Sequence, residues 1–161
     1  MKINIRPMTY QDKTSIMKIL RNTPEFKPFE VTVAEELIDC YLGDPHGAGY
    51  HILIAESDTA IAGYICYGPT PMTEGTWDIY WEAVAQEKRG QGIGTVLMQS
   101  AEKGIAKANG RLAIIETSSL PEYEATRRFH LGNGYELIAR IPDFYAPGDD
   151  KLILQKRFRQ K

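Results

Sequence analysis

The chain has 161 residues, 43% hydrophobic and 25% charged, which is enough for one domain with its own hydrophobic core. A formal charge of -2 and a pI near 5.9 argue against nucleic acid as the main partner. No stretch approaches the roughly 20 apolar residues of a membrane span, and Met1 to Arg6 runs into polar sequence without a signal-peptide core. Cys40 and Cys66 lack metal or redox spacing and read as reduced, partly buried thiols. These features predict a cytoplasmic protein with no metal site, no membrane partner and no nucleic-acid partner.

Ile3 and Ile5 alternate with polar neighbours, which predicts a short strand ending at Pro7. Thr9 is placed to cap a helix through about Asn22, with Ile16, Ile19 and Leu20 on one face. Pro24 and Pro28 bracket a loop, and Thr32-Val-Ala-Glu35 has the form of a capping box opening a second helix that stops at Gly43. Tyr50 to Glu56, Ile61 to Tyr67 and Thr76 to Val84 read as strands. A helix follows from about Ile93 to Ala108, with Ile93, Val96, Leu97, Ala101 and Ile105 on its buried stripe, and Gly110 ends it.

Arg111 to Thr117 is an apolar strand, and Ser119-Leu-Pro-Glu122 opens a further helix to about Leu131. Tyr135 to Ile141 and Lys151 to Phe158 read as strands separated by a loop from Pro142 to Asp150. No repeat or low-complexity linker interrupts the chain, so residues 1–161 read as a single domain. Strands on tight connections are antiparallel and those joined through a helix are parallel. The fold class is therefore α/β (α+β): a mixed, mostly antiparallel sheet of about seven strands flanked by about four helices.

Between strand and helix lies Arg89-Gly-Gln-Gly-Ile-Gly-Thr95. Glycines let backbone amides converge without a steric penalty, and the start of a helix leaves its first N–H groups unpaired at the positive end of the dipole. That is an anion site suited to a phosphate or pyrophosphate. A dinucleotide is one candidate, because Gly90 to Thr95 nearly matches GxGxxG and Glu116 ends the next strand. Against it stand Thr95 in place of the third glycine, the polar stretch Ala85 to Arg89, and the antiparallel strands upstream. A P-loop fails because no Gly-Lys-Ser/Thr follows.

Coenzyme A is the second candidate, since Arg89-Gly-Gln-Gly92-Ile-Gly94 fits Arg/Gln-x-x-Gly-x-Gly/Ala. With Ala83-Val84 before it and Thr95 to Met98 after it, this segment resembles the pyrophosphate-binding segment of the GNAT superfamily of N-acetyltransferases. The resemblance extends over the predicted order of elements. Glu116 to Ser119, Tyr123 to Thr126 and Gly134-Tyr135 are similar to its second cofactor segment, and Asp143 to Lys151 to the closing loop of one bacterial and archaeal subgroup. It implies acetyl-CoA as cosubstrate, with a homodimer left open. Cofactor contacts would come from Ala83, Val84, Arg89, Gly90, Gln91, Gly92, Ile93, Gly94, Thr95, Thr126 and His130. Lys88 would add positive charge or simply be a solvated loop residue.

In that family two strands splay apart around the pantetheine arm, here Thr76 to Val84 and Arg111 to Thr117. Such a splay leaves amides near Ala83 and Val84 free for an oxyanion. Acetyl transfer also needs a base for the amine and an acid for the departing thiolate. Asp78 matches a position that carries a carboxylate in the histone-acetylating branch. Glu82 is its rival, on the same side of the strand by the period of two unless a bulge intervenes. Many members have a tyrosine where this chain has His130, which shares a helical face with Thr126. His130, Tyr145 or Tyr123 could therefore supply the acid, or His130 could be a helix-end residue without a role in transfer.

Tyr67, Trp77, Tyr80, Trp81, Phe144 and Tyr145 cluster where an acceptor pocket would form. Asp78, Glu82, Asp143, Asp149 and Asp150 lean it towards a small cationic or amino-acid-like amine. The expected activity is direct acetyl transfer, with Cys40 and Cys66 away from the thioester. The alternatives are a non-catalytic coenzyme A sensor and, third, a dinucleotide-binding oxidoreductase.

Overall fold

The computed structural model describes residues 2–159; Met1, Gln160 and Lys161, the ends of the predicted domain, lie outside the described residues. The chain runs β1 (Ile3–Pro7), α1 (Lys13–Arg21), α2 (Pro28–Gly43), β2 (His51–Ser57), β3 (Ala60–Pro69) and β4 (Thr76–Val84). It continues with α3 (Ile93–Lys107), β5 (Leu112–Ser118), α4 (Glu124–Gly132), β6 (Glu136–Ala146) and β7 (Asp149–Arg157). The strands form one seven-stranded sheet in the order β1-β2-β3-β4-β5-β7-β6. Only the β4–β5 pair is parallel, because α3 carries the chain back across the sheet between them.

The sheet has a buried layer on each face. On one side the α3 stripe of Ile93, Leu97, Met98, Ala101 and Ile105 packs on Ile65, Ile79, Ala113 and Ile115. On the other, Ile16 and Leu20 of α1 and Ala34 and Ile38 of α2 pack on Ile52, Ile54 and Tyr64. Each fully buried Leu or Ile contributes about 1.5–3 kcal/mol through the apolar area it removes from water. Both layers rest on β2 to β4, the strands that lead to the glycine loop.

Three predicted boundaries move. The first helix begins as a short 3-10 turn at Tyr10–Asp12, where the Asp12 carboxylate accepts the Thr9 N–H at 2.8 Å and two Arg6 nitrogens at 2.7 Å. Helix α2 starts at Pro28, whose fixed φ suits the first helical position, so Thr32 is interior and its hydroxyl donates back to the Pro28 carbonyl at 3.2 Å. The loop predicted from Pro142 to Asp150 is mostly strand. Residues β6 and β7 pair again at Ala146 and Asp149 after an irregularity at which Asp143 has φ 55°.

The fourth difference matters most for the site. Cys66 of β3 pairs with Trp81 of β4, but Tyr67 pairs with Ile79, so Tyr80 is an extra residue, a β-bulge. Before it, Trp77 and Ile79 face α3; after it, Val84 faces α3 while Trp81 and Ala83 face α1 and α2.

Candidate functional site

The glycine loop has the backbone shape the sequence implies. Gly90 and Gly92 lie at φ 78° and 82°, where a side chain would be strained, and nothing stands within 4 Å of a Cβ built on either. Gly92 is the N-cap of α3 with no side-chain cap, and the helix's first intrahelical bond runs from the Val96 N–H to the Gly92 carbonyl at 3.1 Å. The N–H groups of Ile93, Gly94 and Thr95 therefore have no intrahelical acceptor and point out of the helix start. Open space in front, unpaired amides and the helix dipole make a cradle that fits a pyrophosphate. Lys88 and Arg89 border it, with Arg89 3.6 Å from the Glu25 carboxylate.

Strands β4 and β5 pair only from Thr76–Leu112 to Ile79–Ile115, and diverge where the bulge begins. The Ala85 N–H donates to Ala62 of β3 at 2.8 Å, so by alternation the Val84 N–H turns the other way, into the gap. The gap opens into a cavity of about 1030 Å³ that also reaches Gly90, Gly92, Thr95, Thr126 and His130. Of the two predicted backbone donors, Val84 is the one aimed at the opening. The dinucleotide alternative loses its support here: the sheet is mostly antiparallel, and Glu116 pairs with Lys151 at 2.8 Å.

The bulge corrects the expectation that Asp78 and Glu82 share one side of the strand. Asp78 accepts the Thr70 hydroxyl at 2.6 Å, with the Tyr80 hydroxyl 3.4 Å away. Glu82 instead lies under the glycine loop, its Oε1 3.3 Å from where a Cβ on Gly94 would sit. Its Oε2 is buried with no hydrogen-bond partner, and burial together with the nearby Glu102 pushes its carboxyl well above the usual range.

His130 is 5% exposed, in the last turn of α4, with its ring set against Phe129 and Tyr135. Burial lowers its imidazole to about 4, and Nδ1 has no partner. Thr126, one turn earlier, lines the same cavity, as the four-residue spacing implies. Tyr145 is half-exposed on β6; burial and the carboxylates of Glu116, Asp149 and Glu30 push its phenol up to about 12. Tyr123 also lines the cavity, but its hydroxyl is engaged, donating to the Glu25 carbonyl at 2.7 Å.

The predicted aromatic group divides. Tyr80, Trp81 and Tyr145 line the cavity, whereas Tyr67 and Trp77 are core residues beneath α3, and Phe144 packs under the Lys151 ammonium at 4.2 Å. The acids divide too. Asp150 bonds Arg140 at 2.5 Å and the Asp143 N–H at 2.8 Å, and Asp143 accepts the Gly148 N–H at 2.8 Å, so both hold the hairpin together. Asp149 lines the cavity and accepts the Ser118 hydroxyl.

The family resemblance places the opposing wall on the helix from Thr32 to Leu42 and the loop before it; Glu25, Phe26, Phe29 and Glu30 form that wall, although the sequence singled out none of them. Glu30 has both carboxylate oxygens 3.5 Å from the Tyr123 hydroxyl, and burial raises its carboxyl. Pro28 was the available signal, because a helix opening there puts Glu30 in its first turn. Of the two thiols expected to be partly buried, Cys40 is exposed and Cys66 is fully buried.

Comparison with known proteins agrees with this geometry. Residues 14–135 match the model of the acetyltransferase (GNAT) family. The chain is 32% identical over 107 residues to the uncharacterized N-acetyltransferase MJ1530 of Methanocaldococcus jannaschii, a match spanning 65% of this chain and 64% of that protein. A Desulfovibrio desulfuricans protein assigned to the GNAT family superposes with a TM-score of 0.93 at 38% identity, over 97% of this chain and 99% of its own. The PaiA N-acetyltransferase of Thermoplasma acidophilum, solved with coenzyme A, shares the fold at a TM-score of 0.77 and 16% identity, over 98% and 100% of the two chains. The chain belongs to the acetyltransferase (GNAT) family, an acyltransferase family whose cosubstrate is acetyl-CoA.

Proposed function

We propose that this protein moves the acetyl group of acetyl-CoA directly to the amine of a small-molecule or amino-acid-like acceptor, in the cytoplasm. One observation carries the reading: a single cavity joins the amide cradle at α3, the open edge of β4 and a wall of carboxylates. Bound acetyl-CoA supplies an activated acyl group on a thiol leaving group. The Ile93, Gly94 and Thr95 amides hold its pyrophosphate, with Arg89, Gly90, Gln91 and Gly92 shaping the cradle and Thr126 beside it. The Val84 N–H, next to Ala83, is the donor to the developing oxyanion.

The acceptor arrives as an ammonium ion. At a pKa of about 10.4, only about one alkylamine in 10³ is neutral at pH 7, so the site must remove a proton. Asp78, Glu30 and Asp149 line the cavity without a cation within ion-pair distance among the described residues, which favours an ammonium. Asp78 takes its proton, steadied by the Thr70 hydroxyl. The Tyr145 phenol keeps its proton at neutral pH and is the donor to the thiolate. His130, neutral at that pH, offers its unpartnered Nδ1 to a hydrogen bond with the cofactor in the same cavity. Neither Cys66, whose thiol burial pushes up to about 12, nor Cys40 lines the cavity, which supports direct transfer.

Thiol release from acetyl-CoA across a panel of small amines tests the proposal, with thermal shift on acetyl-CoA, coenzyme A and NAD alongside. Stabilisation by acetyl-CoA with thiol release supports it. Binding without release on any amine favours a coenzyme A sensor, and stabilisation by NAD alone refutes both. If His130→Ala removes turnover while Tyr145→Phe leaves it intact, the donor assignment is reversed.

A further inference from the structure

Glu82 is a buried carboxyl that the transfer chemistry above does not use. It lies directly beneath the start of α3, with Oε1 3.3 Å and the Phe129 ring 3.2 Å from where a Cβ on Gly94 would sit. Oε2 is sealed from solvent with no hydrogen-bond partner. The groups around it are known. From α3 it faces the Glu102 carboxylate, which accepts the Tyr135 hydroxyl at 2.9 Å and the Lys156 ammonium at 3.0 Å. From α4 come the Phe129 ring and, beside it, the His130 ring, neutral at pH 7. Its β3 neighbour is Ile65, and the Arg89 guanidinium on the loop is turned to Glu25. Among the described residues no cation lies within ion-pair distance of Glu82, and Lys156 is paired with Glu102.

The positive end of α3 thus has two suitors, a pyrophosphate from outside and the Glu82 carboxylate from beneath. Two anions at one helix start repel each other, and Glu82 Oε2, shut off from solvent, has no water to screen it. The pyrophosphate cannot shed its charge in the neutral range; Glu82 can. We propose that Glu82 is the proton-accepting group of the cofactor site: at a pH where the free protein's Glu82 is ionised, this carboxylate takes one proton from solvent as the pyrophosphate settles on α3, and becomes a neutral acid. The inference rests on the acetyl-CoA reading and adds proton uptake to it. It also gives Glu82 a part separate from that of Asp78, which lies on the opposite face of β4.

Two consequences follow. Affinity for acetyl-CoA falls as pH rises through the range where the free protein's Glu82 ionises. Binding in that range takes up to one proton per site.

Calorimetry of acetyl-CoA binding from pH 6.5 to 9.5, in buffers of different ionisation enthalpy, measures both quantities. Acetyl-CoA has no free thiol, and its phosphates titrate equally in every variant. Glu82→Gln carries the neutral shape permanently, and Glu82→Leu is an apolar alternative in case the buried amide destabilises the fold; melting curves screen both. The expected result is a wild-type Kd that rises about tenfold more across this range than that of either variant. Proton uptake in wild type should exceed that of both replacements by up to one proton per site. Parallel pH curves, with equal proton counts, overturn the role of Glu82 while leaving acetyl-CoA binding intact. Failure of the wild-type protein to bind acetyl-CoA at any pH overturns the cofactor reading itself.

Discussion

Replacing Gly92 with alanine separates the shape of the loop from its composition. Gly92 sits at φ 82° and ψ 6° as the N-cap of α3, and nothing lies within 4 Å of the position a Cβ would take. The added methyl meets no wall, so its cost is conformational, about 1–2 kcal/mol for an L residue in the left-handed region. In a chain of this size each kcal/mol moves Tm by about 2–4 °C, which predicts a fall of about 2–8 °C. If the loop relaxes to escape the strain, the Ile93, Gly94 and Thr95 amides turn away and the cost moves to binding, about tenfold in Kd per 1.4 kcal/mol. Gly43→Ala is the control. It too adds a methyl into open space, but in the last turn of α2 and outside the left-handed region, so it should be neutral or stabilising by up to about 1 kcal/mol. Scanning fluorimetry and acetyl-CoA calorimetry read both quantities. A Gly92→Ala protein equal to wild type in Tm and Kd refutes the assignment of the cradle to this backbone shape.

Asp78→Asn should lower kcat by about 10²-fold or more while leaving the acetyl-CoA Kd unchanged, because it removes a proton acceptor outside the cofactor cradle; steady-state kinetics and calorimetry check this. Leu97→Ala empties a fully buried position under α3 and should cost about 2–5 kcal/mol by urea unfolding. Arg6 holds Asp12 below its ordinary value of 3.8, so its stabilisation is full above that value and is lost as pH falls through the lower, folded one. Asp12→Asn should therefore destabilise by about 1–3 kcal/mol near neutrality, and the gap to wild type should close in acid. His130 is shifted in the same sense but in a higher pH window, from 6.5 in the unfolded chain to about 4 when folded. Between those values the unfolded chain binds the extra proton, so wild type should lose about 2–3 kcal/mol relative to His130→Gln from pH 7.5 to 4.5, read from paired melting curves.

The cradle was legible in the sequence because its physics is local. Glycines at fixed spacing, an apolar stripe starting at Ile93 and polar residues before them specify a loop that opens a helix. The start of α2 was misread for an equally local reason: Thr32 and Glu35 have a capping-box pattern, but Pro28, four residues earlier, already satisfies the first helical position. The stretch from Pro142 to Asp150 looked like a loop because Pro and Gly punctuate it. The Asp150 carboxylate, bonded to the Asp143 N–H and to Arg140, carries β6 through its kink and on to Ala146. Nothing in the linear order of residues announces that bond. The acceptor wall was hidden more deeply, since Glu30, Tyr123, Tyr145 and Asp149 lie on separate elements and meet only through the fold.

The bulge at Tyr80 is the least legible feature, because a bulge is a property of two strands and not of one. It counts β4 against β3, and the extra residue appears only when Cys66 meets Trp81 while Tyr67 meets Ile79. From that one residue the site's main divisions follow. A bulge bends and twists its strand, and β4 leaves β5 immediately after Ile79, where the gap for a cofactor opens. The same insertion reverses side-chain parity, so Asp78 and Glu82, four apart and expected on one side, face opposite layers of the molecule. Without it, both carboxylates would share a face and the unpaired Val84 amide would lie in a continuous ladder. The extra residue thus separates Asp78, the carboxylate proposed to meet the acceptor, from Glu82 beneath the start of α3, and opens the gap between β4 and β5.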